Sequence, residues 1–283
     1  MRRWRMVFTG ANDGFFNMAL DEALLLSCRD RDFPPVLRLY LWSQPAITIG
    51  YSQPVKKTVD VRRCGLKGVG LVRRITGGRA ILHEDELTYS LCASAKYFPQ
   101  LGHTTQETYR KLSMALLESL RLLGVDGEWT RPASNRDSRT DHSVCSLPCF
   151  ASSSKYEVTV QGKKLVGSAQ RRFLSRSDGE EKESFMQQGS IPIGDAGRSL
   201  ADFLPERDSA EIVRQNLAER STNIEKTLRR RPGLPEMISA IKSGFERFFS
   251  IQMEDSVISD EELHDASVLR ETKYSRDEWN LRR

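Results

Sequence analysis

Arg73-Arg74-Ile75-Thr76-Gly77-Gly78-Arg79-Ala80-Ile81-Leu82-His83 joins a basic pair, a glycine turn and a strand-like segment. Two adjacent glycines let the backbone take positive φ and bring its N–H groups against a ligand with no Cβ in the way. Taken alone, the run reads more plainly as a β-hairpin turn. The blocks around it change that reading.

Working outward, residues 36–41 and 46–51 are β-rich, 70–75 lead into the turn, and 86–93 alternate as a strand. Asn12-Asp13-Gly14 can cap a helix whose apolar positions Phe16, Ala19, Leu20, Ala23 and Leu24 recur at helical spacing. Thr104-x-x-Glu107 is a capping box opening a helix with Leu112, Leu116, Leu120 and Leu123 on one face, closed by Gly124. Segments 156–160 and 164–173 read as a hairpin turning at Gln161-Gly162, and 184–193 as a further strand. Beyond Leu200 the pattern is helical, with Ile238, Ile241, Phe245 and Phe248 as the clearest stripe. The class is therefore α+β, a mixed or antiparallel sheet with helices against one face. One domain is expected over residues 1–250 (core about 31–249), with a helical C-terminal extension, 251–283, packed on it.

Hydrophobic content of 39% and charged content of 29% are ordinary for a globular protein. No apolar stretch approaches the ~20 residues that span a bilayer. Met1-Arg2-Arg3-Trp4-Arg5 has positive charge but no apolar h-region behind it, so a cytoplasmic location is expected. Five scattered cysteines argue for reduced thiols. Cys28 and Cys92 read as small core residues, whereas Cys145 and Cys149 sit in a polar loop. His142, Cys145 and Cys149 have zinc-ligand side chains, but a structural zinc needs four and no second pair lies nearby, so no metal is expected. The net charge of +5 is unevenly spread: Lys56 to Arg79 holds eight cations against one acid, and Glu254 to Glu278 nine acids against three cations. That polarity suggests a basic face for an acidic partner. Nucleic acid is disfavoured, because no helix-turn-helix, zinc-finger or RNP-like pattern is present.

Downstream of the glycine run stand Pro148-Cys149-Phe150, Tyr156-Glu157-Val158, Lys164-Leu165-Val166-Gly167-Ser168-Ala169-Gln170 and Gln187-Gln188-Gly189-Ser190. These blocks, in this order, resemble the catalytic domain shared by lipoate-protein ligases, octanoyltransferases and biotin ligases. The likeness reaches from Asn17-Met18-Ala19-Leu20-Asp21-Glu22 to Asp277-Glu278-Trp279-Asn280. Within the superfamily, Cys-Phe ahead of Tyr-Glu and Arg after Thr-Gly-Gly are most similar to the cysteine-dependent octanoyl-carrier-protein:protein octanoyltransferases of Gram-positive type. ATP-using members usually carry a third glycine where this chain has Arg79, and Gln188 stands where many relatives have His. The loop 132–147 departs from the family pattern.

The resemblance implies a biotin/lipoate ligase-like fold and transfer of octanoyl from octanoyl-acyl carrier protein to a lysine of a lipoyl domain, such as glycine cleavage H protein. No cofactor is implied. Cys149, seven residues before Tyr156, is the implied thioester nucleophile, with Cys145 a loop thiol; Lys164 is the implied cation that lowers the thiol pKa. Implied substrate-binding positions are Arg74, Thr76, Gly77, Gly78, Arg79, His83, Gly167, Ser168 and Ala169. The same blocks leave open an octanoyl amidotransferase acting between lipoyl proteins and an ATP-dependent ligase. A monomer is expected, since no exposed apolar stripe demands a partner.

Overall fold

The computed structural model describes residues 2–31, 33–130, 157–177, 180–205 and 210–282. Cys145, Cys149 and Tyr156, and with them the implied nucleophile and the candidate zinc set, lie outside the described residues.

The chain opens with β1 (Arg2–Asn12), which the sequence reading left unassigned, although Trp4 and Met6 are buried on one of its faces. Asp13 then accepts a hydrogen bond from the Phe16 N–H and starts α1 (Gly14–Asp30). Next come β2 (Val36–Trp42), β3 (Ala46–Ile49), the short helices α2 (Val55–Thr58) and α3 (Val61–Leu66), then β4 (Gly70–Arg73), β5 (Ile81–His83) and β6 (Glu86–Ser94). A single turn, α4 (Phe98–Leu101), precedes α5 (Thr105–Leu122), whose reciprocal Thr104–Glu107 capping box forms as anticipated. The strands β7 (Glu128–Thr130), β8 (Glu157–Val160), β9 (Lys163–Ser177) and β10 (Glu180–Pro192) follow, and the β8–β9 connection does turn at Gln161-Gly162, both at positive φ. The remainder comprises α6 (Ala210–Arg220), α7 (Ile224–Leu228), α8 (Leu234–Phe249), β11 (Ile251–Asp255), α9 (Asp260–Leu269) and α10 (Asp277–Asn280).

Eight strands form a mixed sheet in the order β11-β1-β2-β6-β10-β9-β8-β7, with β11, β1 and β2 parallel. A second sheet has the order β4-β3-β5. The expectation of helix throughout beyond Leu200 fails at β11, a five-residue segment in which only Ile251 and Met253 are buried; it pairs with β1 and ties the C-terminal residues into the sheet.

Helices cover both faces of the large sheet, not one. Leu37, Leu39, Leu87, Tyr89 and Leu91 point toward α5 and α8, while Val36, Tyr40, Trp42 and Cys92 point toward α1 and α9. Full burial of each such aliphatic side chain stabilises the fold by ~1.5–3 kcal/mol. In β6 the alternation is between apolar residues on the first face and Glu86, Thr88 and Ser90 on the second. A lone sheet would give that polar row to solvent, but here it is buried, with Trp42, His83 and Ser190 against Glu86 and Thr88. The candidate site is built on this covered polar face.

Candidate active site

The glycine run is not a hairpin. β4 and β5 lie on opposite sides of β3, so residues 74–80 cross over the end of that strand. The crossing is tight: a Cβ on Gly50 would stand 2.0 Å from the Gly78 carbonyl oxygen, and Gly78 itself sits at φ 90°. Arg74, only 5% exposed, clamps the crossing from below. Its Nε and Nη2 donate to the Gly77 carbonyl (3.1 and 2.8 Å), Nη2 also reaches the Arg79 carbonyl (2.8 Å), and Nη1 donates to the Thr48 carbonyl and Oγ1 (3.1 and 3.0 Å). Arg73, also buried, points the other way. It donates to the carbonyls of Gly50, Tyr51 and Gln53 on one side and of Trp279, Asn280 and Arg282 on the other.

Beneath the crossing, a narrow pocket opens between the two sheets. Its apolar walls come from Met18 of α1, Tyr40 and Trp42 of β2, Ile81 of β5 and Ala169 of β9. The polar residues at its edge are turned toward one another. Thr88 and Ser190 both donate to Glu86, at 2.5 Å each, and Ser168 Oγ meets the Tyr89 hydroxyl at 2.7 Å. His83 stacks on Trp42 (centroids 4.0 Å apart), with Nδ1 2.7 Å from Glu86 Oε1 and Nε2 2.8 Å from Thr48 Oγ1. Burial by itself would raise the Glu86 pKa, but His83 and the hydroxyls of Ser190 and Thr88 outweigh it and hold the carboxyl below its ordinary range. Both ring nitrogens of His83 are engaged, Nδ1 with Glu86 and Nε2 with Thr48 Oγ1, which also accepts from Arg74, so His83 is held as a wall residue of the pocket. Burial lifts the Tyr89 phenol to about 12 against the opposing hydrogen bonds from Ser168 and Gln187.

A second buried network lies on the α1 side. Asp21 pairs with Arg38 at 2.7 Å with both side chains fully buried, and Oδ2 accepts from the Tyr40 hydroxyl (3.0 Å) and from Gln188 Nε2 (2.5 Å). Gln188 Oε1 in turn accepts from the Thr76 hydroxyl at 2.9 Å. Thr76 therefore does not face the pocket; it anchors the crossing to α1 through Gln188.

Lys164, 4% exposed, pairs with Glu157 at 2.6 Å and joins the Tyr-Glu and Lys-x-x-Gly-Ser-Ala segments. It stands three residues before Gly167, outside the pocket lining.

Of the residues anticipated from sequence, Arg74, His83, Gly167, Ser168 and Ala169 border one pocket. Thr76, Gly77, Gly78 and Arg79 form the crossing over it. Sequence reasoning missed Met18, Tyr40, Trp42, Asp21, Arg38, Thr48 and Glu86. Asn17 and Asp21, four apart among the apolar residues of α1, were the available signal. The basic face also contracts. Arg73 and Arg74 are buried and used internally, and Arg63 is turned to Asp60 and the Asp202 carbonyl, leaving Lys56, Lys57, Arg62 and Lys67 exposed.

The chain matches the lipoyl protein ligase A/B catalytic domain over residues 13–246. Octanoyltransferase LipM of Bacillus subtilis is 36% identical over 282 residues, with 99% of this chain and 98% of that protein covered. Octanoyltransferase LipM of Anoxybacillus flavithermus is 37% identical over 283 residues, covering 99% and 98%. Among solved structures, a bipartite lipoate protein ligase of Thermoplasma acidophilum superposes with a TM-score of 0.78 at 22% identity, covering 99% of this chain and 97% of that one. Lipoate-protein ligase A bound with ATP superposes at 0.75 with 24% identity, covering 99% and 98%. The two structures establish a shared mixed-sheet α+β fold. Among the described residues no helix is long and apolar enough to cross a membrane. A match over most of the chain, with relatives above 30% identity along its whole length, means that the chain belongs to the lipoyl protein ligase A/B catalytic domain family.

Proposed function

We propose that the chain transfers an octanoyl group from octanoyl-acyl carrier protein to a lysine of a lipoyl domain, with Cys149 as the relay. The observation that carries this is the pocket whose polar edge groups satisfy one another, leaving apolar walls for a saturated chain. At ~0.8 kcal/mol per buried methylene, the six methylenes of an octanoyl tail contribute about 5 kcal/mol of binding. The names of the relatives point to the same acyl group.

The Cys149 thiolate attacks the carrier thioester carbonyl, the carrier C–S bond breaks, and the carrier thiol leaves with a proton. The acceptor ε-amine then attacks the octanoyl-enzyme thioester, an amide forms, and the Cys149 sulfur departs. No step consumes ATP, since aminolysis of a thioester is downhill. Arg79, in place of a third glycine, suits a site that does not hold a nucleotide. Lys164 supplies the cation for the thiolate, and its pairing with Glu157 fixes where that charge sits.

Intact-mass measurement after incubation with octanoyl-acyl carrier protein, without ATP, tests the reading. One octanoyl adduct is expected on the wild type and on Cys145→Ala, none on Cys149→Ala, and the adduct should disappear when lipoyl domain is added. Labelling that needs ATP, or that arises only from an octanoylated lipoyl protein as donor, would replace this reading with the ligase or the amidotransferase.

A further inference from the structure

Tyr51 stands at the outer edge of the glycine crossing. Its N–H donates to the Thr76 carbonyl (2.9 Å), and Arg171, two residues beyond Ala169 on β9, donates to the Ile75 carbonyl (3.1 Å). The Tyr51 ring carries two guanidiniums, Arg171 at 3.9 Å and Arg282 at 4.4 Å, and Arg282 also lies 3.9 Å from the Trp279 ring. Among the described residues, other arginines stacked on rings face carboxylates, as Arg5 faces Glu262 and Arg172 faces Glu183. Among the described residues neither Arg171 nor Arg282 has one. Arg282 Nε is enclosed and finds no acceptor. The two guanidiniums, Arg171 foremost, hold the Tyr51 phenol below its ordinary pKa. All three side chains are half-buried, so the cluster keeps an open side.

Two unneutralised guanidiniums held beside one phenol by stacking and backbone contacts form a preorganised receptor for an oxyanion, and their planar forks favour phosphoryl oxygens. We propose that Tyr51, Arg171 and Arg282 bind the phosphate of the pantetheine arm on which an acyl donor is presented. The inference rests on the reading of a carrier-bound donor. Its position fits that reading: the cluster stands at the outer edge of the crossing that roofs the acyl pocket, where a donor arm leaving that pocket would emerge.

The test is calorimetric titration of Cys149→Ala protein, which removes the relay thiol, with S-octanoyl-4′-phosphopantetheine and S-octanoyl-pantetheine. The phosphorylated thioester is expected to bind at least tenfold more tightly, and inorganic phosphate to erase the difference. Arg282→Gln and Arg171→Gln should each bring the ratio close to one. Arg171→Lys, which keeps the charge without the fork, should leave it intermediate and guards against loss of the Ile75 contact as the cause. Equal affinities for the two thioesters, no binding of either, or a ratio unchanged in the Arg282→Gln and Arg171→Gln proteins overturns the proposal. So does an Arg-dependent affinity for carrier protein lacking its arm alongside equal thioester affinities, which would assign the cluster to a protein carboxylate. These titrations do not require turnover, so a failure of the transferase reading appears separately, as an absent octanoyl adduct on the wild type.

Discussion

Replacing Gln188 by glutamate changes one atom type at a point where the structure leaves little freedom. Gln188 Nε2 lies 2.5 Å from Asp21 Oδ2, and Asp21 is fully buried against Arg38. In Gln188→Glu a second carboxyl takes the place of the donor. Two ionised carboxyls ~3 Å apart repel by about 5 kcal/mol at an effective dielectric near 20. The folded variant avoids this by retaining a proton that the unfolded chain releases above pH ~4.3. The sign follows from that difference. Below ~4.3 both states are protonated and the variant approaches wild-type stability; above it the unfolded state gains about 1.4 kcal/mol per pH unit, reaching about 3.7 kcal/mol at pH 7. Gln188→Leu leaves the Thr76 hydroxyl without its acceptor and Asp21 without one donor, a loss of roughly 2–4 kcal/mol with little pH dependence. Urea unfolding of the three proteins from pH 4 to 7.5 separates these outcomes. A gap between wild type and Gln188→Glu that stays constant over that range would refute the assignment of Gln188 as the bridge between α1 and the glycine crossing.

Lys164→Ala should slow acylation of the enzyme and, by stranding the buried Glu157, destabilise the fold by roughly 3–5 kcal/mol; adding Glu157→Gln should return most of the stability and none of the rate, as read by urea unfolding and intact-mass time courses. Glu86→Gln should remove stability that the wild type holds above the ordinary glutamate value of 4.5 and loses as pH falls through the depressed folded value, so the two unfolding curves should converge on acidification; curves that stay parallel below 4.5 would show that Glu86 is not held ionised. Transfer from intact octanoyl carrier protein should weaken steeply between 0.1 and 1 M salt, as the Debye length falls from ~10 to ~3 Å, and do so less in a Lys56→Ser/Lys57→Ser/Arg62→Ser/Lys67→Ser protein. A small octanoyl thioester should be almost indifferent, and equal salt sensitivity for both donors would make those four cations an ordinary solvated surface.

What could be read from the chain and what could not divides along physical lines. The capping box at Thr104 and Glu107, the Asp13 cap and the Gln161-Gly162 turn are local, each set by residues within a few positions, and all three form as anticipated. β1 and β11 pair with each other across the chain, β1 also with β2, and the alternation that marks them, Trp4 and Met6 in one and Ile251 and Met253 in the other, spans too few positions to be decisive alone. The alternation in β6 was legible, but what covers its polar side was not, because Trp42 and Ser190, which help satisfy it, are distant in sequence. The glycine run drew attention for its backbone and deserved it, yet its two arginines looked like surface charge. Arginines that spend their donors inside the fold, most of them on main-chain carbonyls, are indistinguishable in sequence from those that meet a partner protein.

Arg73 hands its guanidinium to carbonyls at Trp279, Asn280 and Arg282, and its own N–H goes to the Asn280 side chain 207 positions away. Its neighbour Arg74 shapes the roof of the pocket. The two side chains leave adjacent positions in opposite directions, so the strand end that carries the roof is braced on its far side by residues around 280. Contacts of such long sequence separation form late and at a high loop-closure cost. On a translating ribosome, α1 and the first strands would meet early while the acyl pocket stayed incomplete. A nascent chain halted before Trp279 should then be folded in its sheets yet less able to shelter an octanoyl tail, which ties the onset of acyl binding to the docking of residues 279–282.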